Sequence, residues 1–295
     1  MQNKLTAIQT FVRVAEAGSF SAAARQNGMK QSAVSQQIAA LEETLGVVLL
    51  HRTTRKMALT EQGQHYLQQV RLVLSAMEEL EEQLRPGSQP LHGKLHIQLP
   101  SGIGQRLMPH LIAFQQTHPA LRLNIALEDR LSDLIAEGVD VAIRLSESPP
   151  ATLAARPLAT VETVLVASPE WMARNGTPQT PDDLQRHPYI RFSGVSPNAP
   201  LQLISAEAKV SVPVESVFRS NNSDALMQAL EAGLGIGGLQ TLIGADALAS
   251  GRLIRVLPDW RLPDRYLYAV FPDARFIPDK VRKLVAKVSE VLVVR

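Results

Sequence analysis

Along residues 5–17, Leu5, Ile8, Phe11, Val12 and Ala15 recur three and four positions apart, which predicts an amphipathic helix. Gly18 ends it. Ser19 or Ser21 can cap a following helix whose Ala22, Ala23 and Ala24 are small enough for close helix approach. Asn27-Gly28 then predicts a turn. Over 31–45, Val34, Ile38, Leu41 and Leu45 fall on one face of a helix, with Ser32, Ser35, Gln36 and Ala39 opposite. Two helices joined by a tight turn form a helix-turn-helix. Val47–Leu50 and Met57–Leu59 read as short strands around the basic turn Arg52-Thr53-Thr54-Arg55-Lys56, a wing able to reach phosphate or an adjacent groove.

From Thr60 to about Gln83 helix formers dominate without proline. Leu67, Val70, Leu74, Met77 and Leu84 fit a dimerisation seam that Glu81 interrupts. Such a stripe must pack on its own body or on a second copy; a dimer holds two heads at the fixed spacing that paired half-sites require. Arg85-Pro86-Gly87-Ser88 breaks the pattern. Beyond it GKLHIQL (93–99), LRLNIAL (121–127) and VDVAIRL (139–145) alternate as strands, with helices expected over 106–117 and 131–137. That order predicts a parallel sheet. A second set follows in ETVLVAS, a helix near Pro181–Arg186, YIRF, KVSVPVES, a helix over Asp224–Ala232 and a strand near Gly235–Leu239. The chain returns through RYLYAVF and a helix carrying Val281, Leu284, Val285, Val288 and Leu292.

The 295 residues suit two domains, and 45% hydrophobic residues suffice for cores. Cysteine is absent, which excludes disulfides, thiolate metal sites and cysteine catalysis. No apolar run is long enough for a membrane span, and the N-terminal residues lack a signal peptide's apolar block, so a cytoplasmic protein is expected. Charge is placed unevenly: residues 1–60 hold seven Lys or Arg against three acids, whereas 61–88 hold two against five. A basic head predicts a polyanionic partner.

The outer face of 31–45 narrows that partner. Glutamine can bond adenine bidentately, serine bonds several base edges, and an alanine methyl packs on thymine. A lysine-rich face would grip any phosphate, whereas this one could discriminate bases. An ordinary solvated Ala/Gln-rich helix would show the same pattern.

FVRVAEAGSFSAAA and QSAVSQQIAALEETLGVVLLHRTTRKMALTEQG, with the long helix and the body, resemble the LysR-type transcriptional regulators nearly end to end. The resemblance implies a mixed fold: an all-α, winged helix-turn-helix DNA-binding domain (1–60), a linker and dimerisation helix (61–89), and an α/β two-lobed, periplasmic-binding-protein-like effector domain (90–295). Lobe 1 would take about 90–162 plus 266–295, and lobe 2 about 163–265. It implies double-stranded DNA and a small-molecule effector as partners, a homodimer or a homotetramer built as a dimer of dimers, no cofactor and no enzyme activity. Carried over by position, Gln31, Ser32, Ser35, Gln36 and Gln37 are base or backbone readers, with Arg52 and Arg55 on the wing. Three positions depart from the family. Asn27 replaces a leucine and Leu50 a phenylalanine. Lys30 replaces a Ser or Thr, which removes an N-cap worth about 1 kcal/mol and offers a phosphate contact instead.

Ligands of such sheets bind at the carboxyl ends of the strands, between lobes. Ser101, Gly102, Asp129, Arg144, Asn222 and Ser223 are therefore the expected effector contacts. Arg144 and the helix start after Asn222 suit a carboxylated molecule; each residue could equally serve only as a cap or a surface ion pair. The glycines 233, 235 and 238 fit GxGxxG, but they close a helix and open a strand, the wrong context for a dinucleotide. The seven histidines form no HExxH motif, so no metal site is expected.

Overall fold

The computed structural model describes residues 2–26, 28–52, 57–83, 90–130, 133–135, 137–148, 154–273 and 277–293, with the side chains of 2–3, 52, 72, 75, 78–83 and 293 outside that description. Asn27, Arg55, Leu84 and the side chain of Arg52 thus lie outside the described residues. The residues divide into two compact units, Met1–Gln89 with Ile135–Gly138, and Pro90–Leu134 with Val139–Arg295.

The first unit begins with α1 (Gln2–Ala17), α2 (Phe20–Gln26) and α3 (Gln31–Leu45). Gly18 closes α1 at φ +67, and the Ser19 hydroxyl accepts the Ala22 N–H at 3.1 Å, so Ser19 rather than Ser21 caps α2. Phe11, Val14, Ala23, Ala24, Val34, Ile38 and Leu41 are buried together. A two-stranded hairpin follows, β1 (Leu50–Arg52) antiparallel to β2 (Met57–Leu59), with Leu50 opposite Leu59. The first strand starts three residues later than the hydropathy predicts. Backbone N–H groups of Leu49 and Leu50 donate instead to the Glu42 carboxylate, and the Leu49 carbonyl accepts from Thr60 N–H. Leu50 is 1% exposed, so leucine fills that core position.

The linker helix α4 (Glu61–Gln83) follows. Thr60 Oγ1 accepts from Gly63 N–H at 2.9 Å and donates to the Val48 carbonyl at 2.7 Å, fastening the helix start to the segment before the wing. A Cβ on Gly63 would sit 2.0 Å from the Leu49 carbonyl oxygen, so only glycine fits. The expected seam needs correction here: Leu67 and Val70 are buried in the head's own core, and Phe11 and Tyr66 rings lie 5.7 Å apart beside them. Among the described side chains of α4, apolar surface stays open at Val73, 57% exposed, and Met77, 37% exposed, with Leu74 half-buried between them.

In the second unit come β3 (Gly93–Leu99), α5 (Ser101–Thr117), β4 (Leu121–Leu127), β5 (Val141–Ser146), β6 (Ala154–Ala167), α6 (Pro169–Asn175), a 3-10 turn (Pro181–Arg186), β7 (Tyr189–Phe192), β8 (Leu201–Ile204), β9 (Lys209–Val212) and β10 (Ser216–Ser220). The chain continues with α7 (Ser223–Glu231), β11 (Ile236–Gln240), α8 (Thr241–Ala249), β12 (Ile254–Arg255), β13 (Arg261–Phe271) and α9 (Asp279–Val293). Strands run β4-β3-β5 in parallel, as the alternating apolar segments predict. β10, β7 and β11 form the second parallel set. The long β6 and β13 join them: they pair antiparallel from Val164–Arg261 to Ala154–Phe271, and β6 also carries β11. Two α/β lobes thus share continuous strands.

Helix α5 starts at Ser101 rather than 106. Gly102 and Gly104 hide the apolar period there, because Ile243 and Leu127 occupy the space their side chains would need. No helix forms over the described part of 131–137; Leu134–Ile135 and Glu137–Gly138 are turns, and Gly138 takes φ +64, which glycine adopts freely. Helix α9 buries Val281, Leu284, Val285, Val288 and Leu292, the whole predicted stripe. No helix among the described residues is long and apolar enough to cross a membrane.

Candidate functional site

Two surfaces carry chemistry. On α3, Gly46 at φ +69 ends the helix, and Val34, Ile38 and Leu41 point into the core. Gln31, Ser32, Gln36 and Ala39 are exposed, and Ser35 is half-buried. The face turned to solvent is therefore uncharged over its first two turns. Gln37 differs: Thr10, itself 4% exposed, donates its hydroxyl to Gln37 Oε1 at 2.5 Å, which ties α3 to α1. Lys30 is exposed, takes an extended conformation (φ −75, ψ 139) and supplies no side-chain cap to the first turn of α3.

In the second unit a cavity of about 330 Å³ opens between the lobes. Lobe 1 contributes Pro100, Ile103, Asp129 and Arg144; lobe 2 contributes Tyr189, Arg191, Ser223 and Gly238, with Thr163 on the shared strand β6. Arg144 is engaged, donating to Gln98 Oε1 and, at 3.0 Å, to the Arg130 carbonyl. Gln98, fully buried, also donates to Glu128 at 3.3 Å, and Glu128 accepts from Arg130 at 2.7 Å. Asp129 Oδ1 accepts the Ser101 N–H at 3.1 Å and so takes one orphan donor at the start of α5.

Across the cleft, alternation along β7 places Tyr189 and Arg191 on one face of the sheet. The guanidinium lies 5.3 Å from the centre of the Tyr189 ring, and Arg191 Nε donates to Ser216 Oγ at 2.9 Å. Burial pushes the Tyr189 hydroxyl up to about 12, against the opposing pull of the Arg191 charge and a hydrogen bond from Gly238 N–H. A Cβ on Gly238 would lie 3.3 Å from that hydroxyl.

Residues 5–64 match the bacterial regulatory helix-turn-helix protein family, lysR type, and residues 88–292 match the LysR substrate binding domain. The chain belongs to the LysR family of transcriptional regulators. It is 37% identical to the HTH-type transcriptional regulator YhjC of Escherichia coli (strain K12), over 95% of this chain and 94% of that one. With the HTH-type transcriptional regulator DmlR of the same organism the identity is 34%, over 94% and 91%. The full-length structure of AphB, the Vibrio cholerae virulence activator, covers 98% of this chain and 99% of its own at a TM-score of 0.61 and 26% identity.

Like these LysR-type proteins, the chain is a DNA-binding transcriptional regulator with an effector-binding domain, and its class is not enzymatic. Of the six expected effector contacts, Asp129, Arg144 and Ser223 line the cleft. Ser101 and Asn222 act in local structure: Asn222 Oδ1 accepts the Ala225 N–H at 3.0 Å and caps α7, while Ser101 presents its N–H to Asp129. Gly102 lets α5 approach Ile243 and Ser223 closely and lines a separate recess with Gln105 and Arg106. Arg191 and Thr163 were not expected in the site. YIRF is legible as a strand, but nothing local says that its arginine is buried beneath a cleft.

Proposed function

We propose that α3 is the recognition helix of a ligand-responsive regulator and lies in the major groove. Gln31, Ser32, Ser35 and Gln36 would read base edges, with Lys30 on phosphate and Arg52 and Arg55 reaching the backbone from the wing. Gln37 would act mainly by holding the helix against α1. What supports this most is the contrast along one helix: a buried apolar stripe at Val34, Ile38 and Leu41 against exposed, uncharged hydrogen-bonding groups at Gln31, Ser32 and Gln36. Such groups can discriminate among bases, where a lysine-rich face would grip any phosphate.

Two copies pair through Val73, Leu74 and Met77 of α4, and as a homodimer or homotetramer they set the spacing of their heads. The effector, a carboxylated small molecule held in the cleft, shifts the balance between two arrangements of the lobes and so between two spacings on DNA. The protein works in the cytoplasm, where its DNA is.

Selection of random duplexes by the purified full chain at two salt concentrations tests the reading. The expected product is an inverted repeat with half-sites about one helical turn, or a multiple of it, apart. Weak, salt-sensitive binding without enrichment of any sequence would overturn base recognition by this head.

A further inference from the structure

Among the described residues, three buried side-chain atoms find no hydrogen-bond partner: Asp129 Oδ2, Thr163 Oγ1 and Arg191 Nη2. All three residues line the cleft. They come from the loop after β4, from β6 and from β7, segments far apart in the chain, yet their unmet bonds gather around a single cavity. Buried polar groups in folded proteins are nearly always paired, because an unmet one costs its full desolvation. Three around one cavity are bonds that a molecule in the cleft can supply.

The two ends differ in charge. Arg191 is 4% exposed and forms no ion pair with any described carboxylate, so a permanent cation sits buried and uncompensated. Its other groups are fixed: Nε on Ser216 Oγ, Nη1 3.5 Å from the Ser196 carbonyl, and its face over Tyr189. Thr163, 6% exposed, has a hydroxyl to donate from β6, which β11 separates from the β7 strand of Arg191. At the lobe 1 end, Asp129 Oδ1 is taken by the Ser101 N–H while Oδ2 faces no donor. Asp224 stands in the neighbouring recess, where burial and the nearby Asp129 charge push its carboxyl up.

We propose that the cleft binds a small amino carboxylate, its carboxylate accepting from Arg191 Nη2 and Thr163 Oγ1 and its ammonium donating to Asp129 Oδ2. This rests on the cleft being the effector site. A plain carboxylate would leave Asp129 unmatched, and an amine would leave the buried guanidinium without an anion. Arg191 is preferred to Arg144 as the anion anchor because its Nη2 is buried without a partner, whereas both terminal nitrogens of Arg144 already donate, to Gln98 and to the Arg130 carbonyl.

Thermal melting of the full chain tests this with acetate, methylammonium, glycine, β-alanine, 4-aminobutyrate, 5-aminovalerate and the common α-amino acids as probes. At least one amino carboxylate should raise the midpoint by several degrees, well beyond acetate and methylammonium. Arg191→Met, Asp129→Asn and Thr163→Val should each abolish that rise. Thr163→Val keeps the side-chain shape and removes only an unpartnered hydroxyl, so it remains informative if Arg191→Met fails to fold. If acetate matches every amino carboxylate and Thr163→Val removes the response, the pairing with Asp129 is wrong although the cleft is still the effector site. If no probe acts, or the best acts equally on wild type and Thr163→Val, the proposal fails; retained selection of a DNA sequence would show that the regulator reading survives it.

Discussion

The carboxylate of Glu42, near the end of α3, accepts the backbone N–H of Leu49 at 2.8 Å and of Leu50 at 3.1 Å. One half-buried side chain thus sets where the wing leaves the helix. Hydrogen bonds to a charged acceptor contribute more than neutral ones, and here two backbone donors depend on it. Glu42→Ala should destabilise the head by about 1.5–3 kcal/mol in urea unfolding, and Glu42→Gln by less, because an amide oxygen still accepts.

Lys30 stands at the N-cap of α3 without capping it. Lys30→Ser should stabilise the head by about 1 kcal/mol through the missing side-chain acceptor. If Lys30 reaches phosphate, the same change reduces the slope of log affinity for DNA against log salt by close to one. Melting curves and salt titrations separate the two effects, which have opposite signs for stability and binding.

Leu67 and Val73 share one helix but have different work. Leu67 is 7% exposed inside the head core and Val73 is 57% exposed. Leu67→Ala should cost about 2–5 kcal/mol of stability at any protein concentration. Val73→Glu should leave the unfolding of the head nearly unchanged and move the sedimentation of the full chain toward monomer. An unaltered association state after Val73→Glu would remove α4 from the pairing surface.

In lobe 2 the Asp183 carboxyl is held at about 2, below its ordinary 3.8, chiefly by the backbone N–H groups of Thr180 and Gln179, then by the Arg186 and Thr180 side chains. A depressed folded value means the contribution is complete above the unfolded value and is lost as pH falls through the folded one. The stability gap between wild type and Asp183→Asn should therefore be constant above about pH 5 and close toward pH 2, as urea unfolding of both proteins across that range would show.

The head is legible because its signals are local. Gly18, Ser19 and Gly46 mark helix ends by backbone conformation and capping, and the stripe Val34, Ile38, Leu41 needs only the helical period. The wing's first strand is misplaced because Glu42 acts from outside it. The stripe on α4 is ambiguous in principle: Leu67 and Val70 at spacing three fit a dimer seam and a core equally, and only the packing of α1 decides. In the body, α6 and α8 are missed although Ser168-Pro169 and Thr241 open them, since short apolar segments between strands carry little periodicity. The cleft was partly legible from the rule that ligands sit at strand ends, which found Asp129, Arg144 and Ser223. Arg191 and Thr163 escaped it, because their significance lies in bonds left unmade, a property of the folded chain.

If α3 reads bases with its outer face, Gln36 touches them and Gln37 only positions the helix. The most direct test measures affinity for the selected operator and for a scrambled duplex with Gln36→Ala and Gln37→Ala. Gln36→Ala should lose about 1–3 kcal/mol on the operator and nothing on the scrambled duplex, whereas Gln37→Ala should weaken both alike and lower the melting point by loosening the contact with Thr10. Equal losses on both duplexes for Gln36→Ala, or none on either, would contradict base recognition by this helix.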